Sequence, residues 1–418
     1  MRYDNLSARK VASLFSGCGG MDLGFEGGFP VHKSSIPNFL ENLPITRNLP
    51  SFRHLPELNF ETVFACDVNR KARLSWENFM SAKRSVDNIY KEESVIDIVK
   101  RISAKSLGIL DGIEVVTGGF PCNDFSVAGK RLGFDSNKSH RGNHSLVDEN
   151  LEDPTAENRG MLYFWMREFV SKVRPKIFYA ENVKGLISLG DAKEIIERDF
   201  SAINGSSYLV IPARVLRAHD FGVPQTRERV IFIGLRKDAV KSRVLDFYSK
   251  FGRLPEEVDP YPIISHGIKS PESELKRFST CADVFVGLGE PENSKDLSHQ
   301  NFSRAKYMGK PLQGQAEISL LKPGPTIRAE HHGNIEFRRL SLVNGGKSPE
   351  IKKGLKERRL SVRECARIQT FPDNYQFVVP NMLSASDGYR LIGNAVPPLL
   401  SFRLAHRLVE VWPELFKK

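Results

Sequence analysis

The residue best suited to covalent chemistry in this sequence is Cys122, which follows Pro121 in the segment 118–134 (GGFPCNDFSVAGKRLGF). A loop at the end of a strand exposes a thiol, and a helix N-terminus or nearby cations there lower its pKa and supply thiolate. The alternative is a buried structural cysteine. The neighbouring Gly, Pro, Asn and Ser residues form loops rather than cores, so we predict a nucleophile.

A glycine-rich segment, residues 15–26 (FSGCGGMDLGFE), separates an apolar run from a helical pattern. Gly17, Gly19 and Gly20 have no Cβ, so the backbone can approach a ligand closely at the carboxyl edge of a sheet. The segment is neither a strict G-x-G-x-x-G nor a phosphate loop, and such a turn can also simply join a strand to a helix.

Two acidic residues follow apolar runs, Asp67 after residues 62–66 and Asp97 after Val95 and Ile96. A carboxylate at a strand end can accept both hydroxyls of a ribose. Each acid alone is explained equally well as a loop residue or a helix cap. In this order, after the glycine segment, they predict a nucleoside pocket.

The segment 178–186 (FYAENVKGL) delivers Glu181 and Asn182 at the end of an apolar strand. These two side chains can read the polar edge of a pyrimidine, and a protonated glutamate can transfer a proton to a ring nitrogen. The alternative for this segment is a simple turn after a strand.

Paired arginines occur in the segment 225–236 (QTRERVIFIGLR). Side chains alternate along an extended chain, so Arg227 and Arg229 share one face. Two guanidinium groups suit a phosphate, a carboxylate or a carbonyl oxygen. A surface ion-pair ladder with Glu228 is the alternative.

The elements that must position these residues alternate between strands and helices. This alternation predicts an α/β fold, a Rossmann-like parallel sheet covered on both faces. Strands are predicted at 11–15, 62–66, 113–117, 177–180 and 230–235, and helices at 161–173, 362–370 and 399–412.

Three stretches interrupt this pattern. Residues 30–59 hold five prolines and predict an insertion that loops away from the sheet, and residues 135–159 predict a loop. From 237 to about 360 the chain is irregular, with short β-like stretches such as 282–286. We therefore predict a catalytic domain (1–241 and 391–418), a second, smaller, irregular domain (242–357) and a hinge segment (358–390).

Composition restricts the class of protein further. A formal net charge of +11 suits a polyanionic partner, although a basic solvated surface would give the same value. The five cysteines are widely spaced without a C-x-x-C pair, so we expect reduced thiols. The sequence has no run of eighteen apolar residues, and its first ten residues lack the apolar centre of a signal peptide, so we expect a cytoplasmic protein.

Taken in order, these motifs resemble those of the DNA cytosine-5 methyltransferases of bacterial restriction-modification systems. The resemblance covers nearly the whole chain except 30–59 and most of 237–357. Besides the segments above, it includes residues 159–164 (RGMLYF), 358–373 (RRLSVRECARIQTFPD) and 392–398 (IGNAVPP).

The resemblance implies a mechanism in which Cys122 adds to carbon 6 of a flipped-out cytosine and thereby activates carbon 5 for methylation. Glu181 would hold or protonate ring nitrogen 3, while Arg229 and Arg227 would contact the base carbonyl or a backbone phosphate. The expected catalytic set is Cys122, Glu181, Arg229, Arg227, Asn182 and Pro121.

The same resemblance implies S-adenosylmethionine as methyl donor, bound across the glycine segment. Phe15 would lie against the adenine, Asp67 would bind the ribose, and Asn394 with Val396 would close the pocket. The expected cofactor contacts are Phe15, Ser16, Gly17, Gly19, Gly20, Asp67, Val68, Asp97, Ile98, Gly119, Pro121, Asn394 and Val396.

Target recognition is expected in the region 242–357, chiefly in 322–341 (KPGPTIRAEHHGNIEFRRLS). This region resembles those of bacterial enzymes for short sites that contain GG and CC. Two adjacent histidines could suggest a metal, but no Cys or third His lies at ligand spacing, so we expect none. The candidate DNA contacts are Arg328, His331, His332, Asn334 and Arg338.

We expect a stand-alone, monomeric prokaryotic enzyme that acts on double-stranded DNA in the nucleoid of the cytosol. Methylation would protect this DNA from a restriction endonuclease, with which the enzyme would form no complex. One alternative is a transfer RNA cytosine-5 methyltransferase, but the Cys-Phe-Thr signature of that branch is absent. A catalytically inactive DNA-binding relative and an NAD-linked oxidoreductase are the others. The first would lose motifs that are intact here, and the second leaves Cys122 and Glu181 without a role.

Overall fold

The strands of the described chain range from two to ten residues in length. The computed structural model describes residues 8–40, 42–46, 49–108, 110–121, 161–268, 274–309, 312–329 and 335–417. Its strands are β1 (Arg9–Leu14), β2 (Pro30–His32), β3 (Ile45–Thr46), β4 (Leu49–His54), β5 (Phe60–Cys66), β6 (Tyr90–Lys91), β7 (Ile113–Gly119), β8 (Ile177–Val183), β9 (Tyr208–Arg217), β10 (Glu228–Arg236), β11 (His266–Gly267), β12 (Lys276–Arg277), β13 (Phe337–Arg339) and β14 (Arg358–Arg359).

The helices differ widely in length, and the longest lies at the C-terminal end of the described chain. They are α1 (Gly20–Glu26), α2 (Arg70–Met80), α3 (Val95–Ser103), α4 (Leu162–Val173), α5 (Ala192–Ser201), α6 (Ser242–Phe251), α7 (Cys281–Val284), α8 (Leu297–Gln300), α9 (Pro349–Lys352), α10 (Val362–Ile368), α11 (Ala385–Asn394) and α12 (Pro398–Leu415).

One seven-stranded sheet organises the catalytic part of the molecule. Its strand order is β6-β5-β1-β7-β8-β10-β9. Strands β6, β5, β1, β7 and β8 run parallel, whereas β10 runs antiparallel to both β8 and β9. The carboxyl ends of the parallel strands therefore lie at one edge, together with the beginning of β10.

Apolar side chains cover both faces of this sheet, as predicted for a parallel sheet. On one face, Trp76 of α2 and Leu408 of α12 belong to a buried cluster with Val115 of β7. On the other face, Met166 of α4 and Ile196 of α5 are buried in a second cluster. The predicted α/β fold is therefore confirmed, with the antiparallel β10 as an additional feature.

The prediction of a β-like stretch at 282–286 is wrong, because this stretch begins within the short helix α7 (Cys281–Val284). The Thr280 side chain accepts a hydrogen bond from the Asp283 backbone N–H, while the Asp283 carboxylate accepts one from the Thr280 backbone N–H. This reciprocal capping starts a helical turn despite the β-branched residues that suggested a strand.

The insertion at 30–59 does not loop away from the molecule, contrary to prediction. Its strands pair antiparallel in the order β2-β4-β3. The hydroxyls of Ser34 and Ser279 lie 2.6 Å apart, and the Ser34 carbonyl oxygen lies 2.9 Å from Nε2 of His266. Hydrogen bonds to residues more than 200 positions away thus tie the insertion to the region that follows α6.

Residues 242–263 pack against the main sheet and α12. The Tyr261 hydroxyl donates to the Ile231 carbonyl at 2.7 Å, and Arg403 of α12 donates to the Ile263 carbonyl at 2.9 Å. In the region that follows, arginine–carboxylate pairs are buried. There burial acts to raise the pKa of Glu364, but its neighbours, chiefly the Arg358 guanidinium, lower it to about 2.

Candidate active site

A cavity of about 610 Å³ opens at the carboxyl edge of the parallel strands. The loops after β1, β5, β7 and β8, the start of β10 and the end of α11 contribute to its walls. Of the residues predicted from sequence, those that line it are Phe15, Ser16, Gly17, Gly20, Asp67, Val68, Gly119, Pro121, Glu181, Arg227, Arg229, Asn394 and Val396.

The glycine segment turns sharply between β1 and α1. Gly17 and Gly19 have φ angles of +53° and +78°, and Phe15 also adopts a positive φ. A Cβ on Gly17 would meet no atom within 4 Å, whereas one on Gly19 would lie 2.5 Å from Cδ1 of Trp76. Gly17 therefore leaves space beside the cavity, while Gly19 makes room for the Trp76 ring and is not part of the cavity wall.

Asp67 follows β5 and presents a fixed carboxylate to the cavity. Its two oxygens accept hydrogen bonds from the backbone N–H groups of Gly17 at 3.0 Å and Asn69 at 2.9 Å. Burial raises the pKa of this carboxyl, while the backbone N–H groups act in the opposite direction. Each oxygen keeps a lone pair for a further donor, so the carboxylate is suited to neighbouring hydroxyl groups.

The cofactor contacts predicted at Asp97 and Ile98 fall inside helix α3, and neither residue lines the cavity. Ile98 is fully buried in the apolar core. Glu93 and Ser94, which link the short strand β6 to α3, line the cavity instead. Sequence analysis missed them because β6 has only two residues and its pattern was too short to show where the strand ends.

Glu181 and Arg229 form an ion pair in the cavity wall. Nε of Arg229 lies 2.6 Å from Oε1 of Glu181, and the two side chains are 12% and 10% exposed. A Cβ on Gly119 would lie 2.8 Å from Oε2 of Glu181, so glycine at 119 lets the strand β7 pass beside this carboxylate. Glu228 instead pairs with Lys184, so the alternative of a ladder joining Glu228 to both arginines does not describe this strand.

Asn182 is buried behind the cavity rather than in its wall. Its Nδ2 donates to the carbonyl oxygen of Phe120 at 3.1 Å. This bond fixes the backbone directly before Pro121, at the start of the loop that carries the predicted nucleophile. Cys122 itself lies outside the described residues, as does the predicted loop at 135–159.

Arg227 is engaged by the protein itself. It is 1% exposed, and its two terminal nitrogens donate to the carbonyl oxygens of Ile327 at 3.0 Å and Gly393 at 3.1 Å. Gln225 is also buried and donates to Gln369, which in turn donates to the Ala395 carbonyl. The two residues join the start of β10 to the segment around 327 and to the end of α11.

Beneath the glycine segment lies a buried carboxyl that sequence analysis did not single out. Asp22 is 1% exposed and accepts hydrogen bonds from the Ser13 hydroxyl at 2.5 Å and from Nε1 of Trp76 at 2.7 Å. Burial raises its pKa to about 6. The only sequence signal was an acidic residue in the first turn of α1, since its partners lie on other elements.

Replacing Asp22 by Asn is expected to change how stability depends on pH. A carboxyl with a pKa near 4 in the unfolded chain and about 6 in the fold stabilises the fold fully below about pH 4, and this contribution is lost as pH rises through 6. The free energy of unfolding of Asp22→Asn relative to wild type should therefore rise by up to about 3 kcal/mol between pH 4 and 7. Urea unfolding across this range measures it, and a constant difference would contradict the prediction.

The predicted DNA contacts divide into three groups. His331, His332 and Asn334 lie outside the described residues. Arg328 is 30% exposed and pairs with Glu336 at 3.1 Å. Arg338 is 11% exposed, pairs with Glu350 and lies over the Phe285 ring, so its guanidinium is taken up by an internal network rather than presented to DNA.

Three further observations concern the described residues as a whole. Cys18, Cys66, Cys281 and Cys365 are buried free thiols. Among these described parts, no group of three or more His, Cys, Asp or Glu side chains is arranged to hold a metal ion. The described helices include none with the length and apolarity needed to span a membrane.

The fold is a Rossmann-like sheet with a fixed acid, Asp67, after β5 and an ion pair between Glu181 of β8 and Arg229 of β10, an arrangement typical of enzymes that bind a nucleoside cofactor. The family model for C-5 cytosine-specific DNA methylases matches residues 9–146 and 151–410. The chain belongs to this family and is a DNA cytosine-5 methyltransferase, which confirms the expectation from sequence.

Relatives of known name are similar over nearly the whole chain. Type II methyltransferase M.BspRI of Lysinibacillus sphaericus is 31% identical over 97% of this chain and 83% of its own length. Type II methyltransferase M.BsuRI of Bacillus subtilis is 30% identical over 94% of this chain and 78% of its own length. Among solved structures, the S. pombe Dnmt2 methyltransferase has a TM-score of 0.53 at 15% identity, covering 96% of this chain and 98% of that one. The last likeness concerns the fold alone.

Proposed function

We propose that this protein uses S-adenosylmethionine to methylate carbon 5 of one cytosine within a short duplex DNA sequence, with Cys122 as nucleophile. The observation that carries the proposal is one continuous cavity with the Asp67 carboxylate and the paired Glu181 and Arg229 in its walls. A nucleoside cofactor and a pyrimidine would thus meet in one space.

The residues present fit this cofactor. Gly17 leaves open space beside the cavity, and the Asp67 carboxylate, fixed by two backbone N–H groups, offers its remaining lone pairs to ribose hydroxyls. Phe15 and Val68 supply apolar surface for the adenine, and Asn394 borders the opposite wall. When bound, S-adenosylmethionine supplies an electrophilic methyl group on a positively charged sulfur.

Cys122 adds as thiolate to carbon 6 of the cytosine, which makes carbon 5 nucleophilic. Glu181 donates a hydrogen bond or a proton to ring nitrogen 3 and so stabilises the charge that develops there, while Arg229 fixes the glutamate and contacts the base carbonyl. After methyl transfer a base, such as a water molecule, takes the proton from carbon 5, and the electrons of that bond re-form the 5,6 double bond and expel the Cys122 thiolate. Any proton on nitrogen 3 returns to Glu181, and the methylated base is released.

Arg227 and Asn182 act by positioning other groups. Arg227 holds the backbone at 327 against Gly393 and so aligns the segment that leads to Arg328 with the catalytic part. Asn182 holds the backbone before Pro121. The sequence suggested that these two residues contact the base directly. We propose instead that they act through contacts within the protein.

The proposed biological setting is supported by the relatives, which are named as Type II methyltransferases. We place the protein in the prokaryotic cytosol, as a monomer that modifies nucleoid DNA at a short site containing GG and CC. A restriction endonuclease of the same specificity would then act on the unmodified site without a physical complex.

Bisulfite sequencing of DNA from a host that lacks such methylation but expresses this protein tests the proposal. Methylcytosine at one short sequence throughout the genome is the expected result, and its absence would overturn the proposal. Purified protein should also transfer labelled methyl groups to duplex DNA and not to transfer RNA. Transfer only to RNA would favour the alternative substrate.

Exchanging residues 264–357 for the matching region of a relative with another specificity should change which sequence is methylated but not the chemistry. The exchange leaves residues 242–263 in place, because they pack on the catalytic sheet and α12. The methylated sequence, read by bisulfite sequencing, should follow the donor of the region. An unchanged sequence would show that recognition lies elsewhere.

A further inference from the structure

Arg390 lies in the cavity wall on helix α11, one turn before Asn394. Its Nε atom is buried and has no hydrogen-bond partner, and within the described chain its guanidinium forms no ion pair. A buried donor without an acceptor is unfavourable, so such groups in native proteins require an explanation.

The guanidinium groups of the other arginines of the cavity wall are engaged differently. Arg229 is paired with Glu181, and Arg227 donates to two carbonyl oxygens. Arg70, at the start of α2, is exposed, so water can solvate it. Arg390 thus differs from them in that its partly buried guanidinium has no acceptor among the described residues.

The methyl donor carries one anionic group, the carboxylate of its amino-acid end, whereas its sulfonium and its ammonium group are positive and would repel an arginine. A guanidinium binds a carboxylate through two parallel hydrogen bonds. In the proposed function Asp67 binds the ribose of the cofactor and Glu181 binds the cytosine. The amino-acid end of the cofactor would then lie against the wall formed by α11 and the glycine segment.

We propose that Arg390 binds the carboxylate of the S-adenosylmethionine amino-acid moiety, an inference that rests on the proposed cofactor. The contact would satisfy the buried N–H and select donors that carry an intact amino-acid end. Analogues that end at the thioether would gain nothing from this residue.

The test compares two probes by calorimetric titration: S-adenosylhomocysteine, which keeps the carboxylate, and 5′-methylthioadenosine, which lacks the amino acid. Arg390→Gln should weaken binding of the first about 10- to 100-fold and leave the second unchanged within about 2-fold. Arg390→Lys should recover part of the loss. Arg70→Gln, a matched control that removes the same charge from the same wall, should change neither by more than about 3-fold.

Equal weakening of both probes by Arg390→Gln would show general damage to the cavity and overturn the inference. Unchanged binding of S-adenosylhomocysteine with weaker binding of duplex DNA would assign Arg390 to a DNA phosphate and also overturn it. If wild-type protein bound S-adenosylhomocysteine not at all, the proposed cofactor itself would fail, and this outcome is distinct from the other two. Melting curves establish that each variant is folded.

Discussion

Replacing Cys122 by Ser should lower methyl transfer to duplex DNA by roughly 10⁴-fold or more, because a serine hydroxyl supplies almost no anion at neutral pH. A thiolate in a loop after a strand is the nucleophile on which the proposed chemistry depends. Single-turnover incorporation of labelled methyl groups measures the effect.

DNA binding provides the control for this variant. Cys122→Ser should bind the target duplex within about 10-fold of wild type, because positive charge and the recognition region supply that affinity. Transfer within roughly 10-fold of wild type would contradict the role of the thiol.

Replacing Glu181 by Gln should lower kcat by about 10²- to 10⁴-fold, because glutamine keeps the shape of the side chain but cannot donate a proton as an acid. The variant also removes the negative partner of Arg229, whose Nε lies 2.6 Å from the carboxylate in a largely buried pair. Single-turnover rates and binding of S-adenosylhomocysteine should be measured together. We expect binding of the cofactor analogue to be unchanged.

Glu228→Gln is the matched control for this prediction. Glu228 is the neighbouring acid on β10, is 34% exposed and pairs with Lys184, so its loss should change the rate by less than about 3-fold. If Glu181→Gln behaved like Glu228→Gln, Glu181 would not act on the base.

The parts of the site that sequence analysis identified are those set by local chain geometry. Parallel strands end at one edge of a sheet, so residues placed directly after apolar runs, such as Asp67 and Glu181, lie around one cavity. The long helix predicted at 399–412 is confirmed as α12 (Pro398–Leu415), because its apolar period is repeated over several turns.

The parts that sequence analysis missed depend on contacts between distant residues. The partners of Arg227 lie 100 and 166 positions away, so its spacing from Arg229 showed the shared strand but not the carbonyl oxygens it binds. Arg338 was predicted to contact DNA because it is basic, yet its guanidinium pairs with Glu350 and lies over the Phe285 ring. The prediction that the insertion at 30–59 loops away was wrong for the same reason, since the partners of its hydrogen bonds lie more than 200 positions along the chain.

Local signals can also be outweighed by other local signals. The apolar, β-branched stretch at 282–286 suggested a strand, but the capping residues Thr280 and Asp283 favour a helical turn. At β6 the strand is too short for its pattern to show where it ends, so Asp97 was expected at the cavity, whereas Ser94 lines it. The first error concerns the type of a short element and the second its boundary, and both lie within a correctly predicted α/β fold.

Trapping with duplex DNA that carries 5-fluorocytosine at the target position tests the central claim most directly. Fluorine replaces the hydrogen at carbon 5 that a base normally removes as a proton. The bond between the enzyme and carbon 6 should therefore persist after methyl transfer. The account predicts a complex that survives denaturation, forms only with S-adenosylmethionine and maps to the peptide containing Cys122. Methylation of normal DNA without any such complex, or an adduct at another residue, would contradict it.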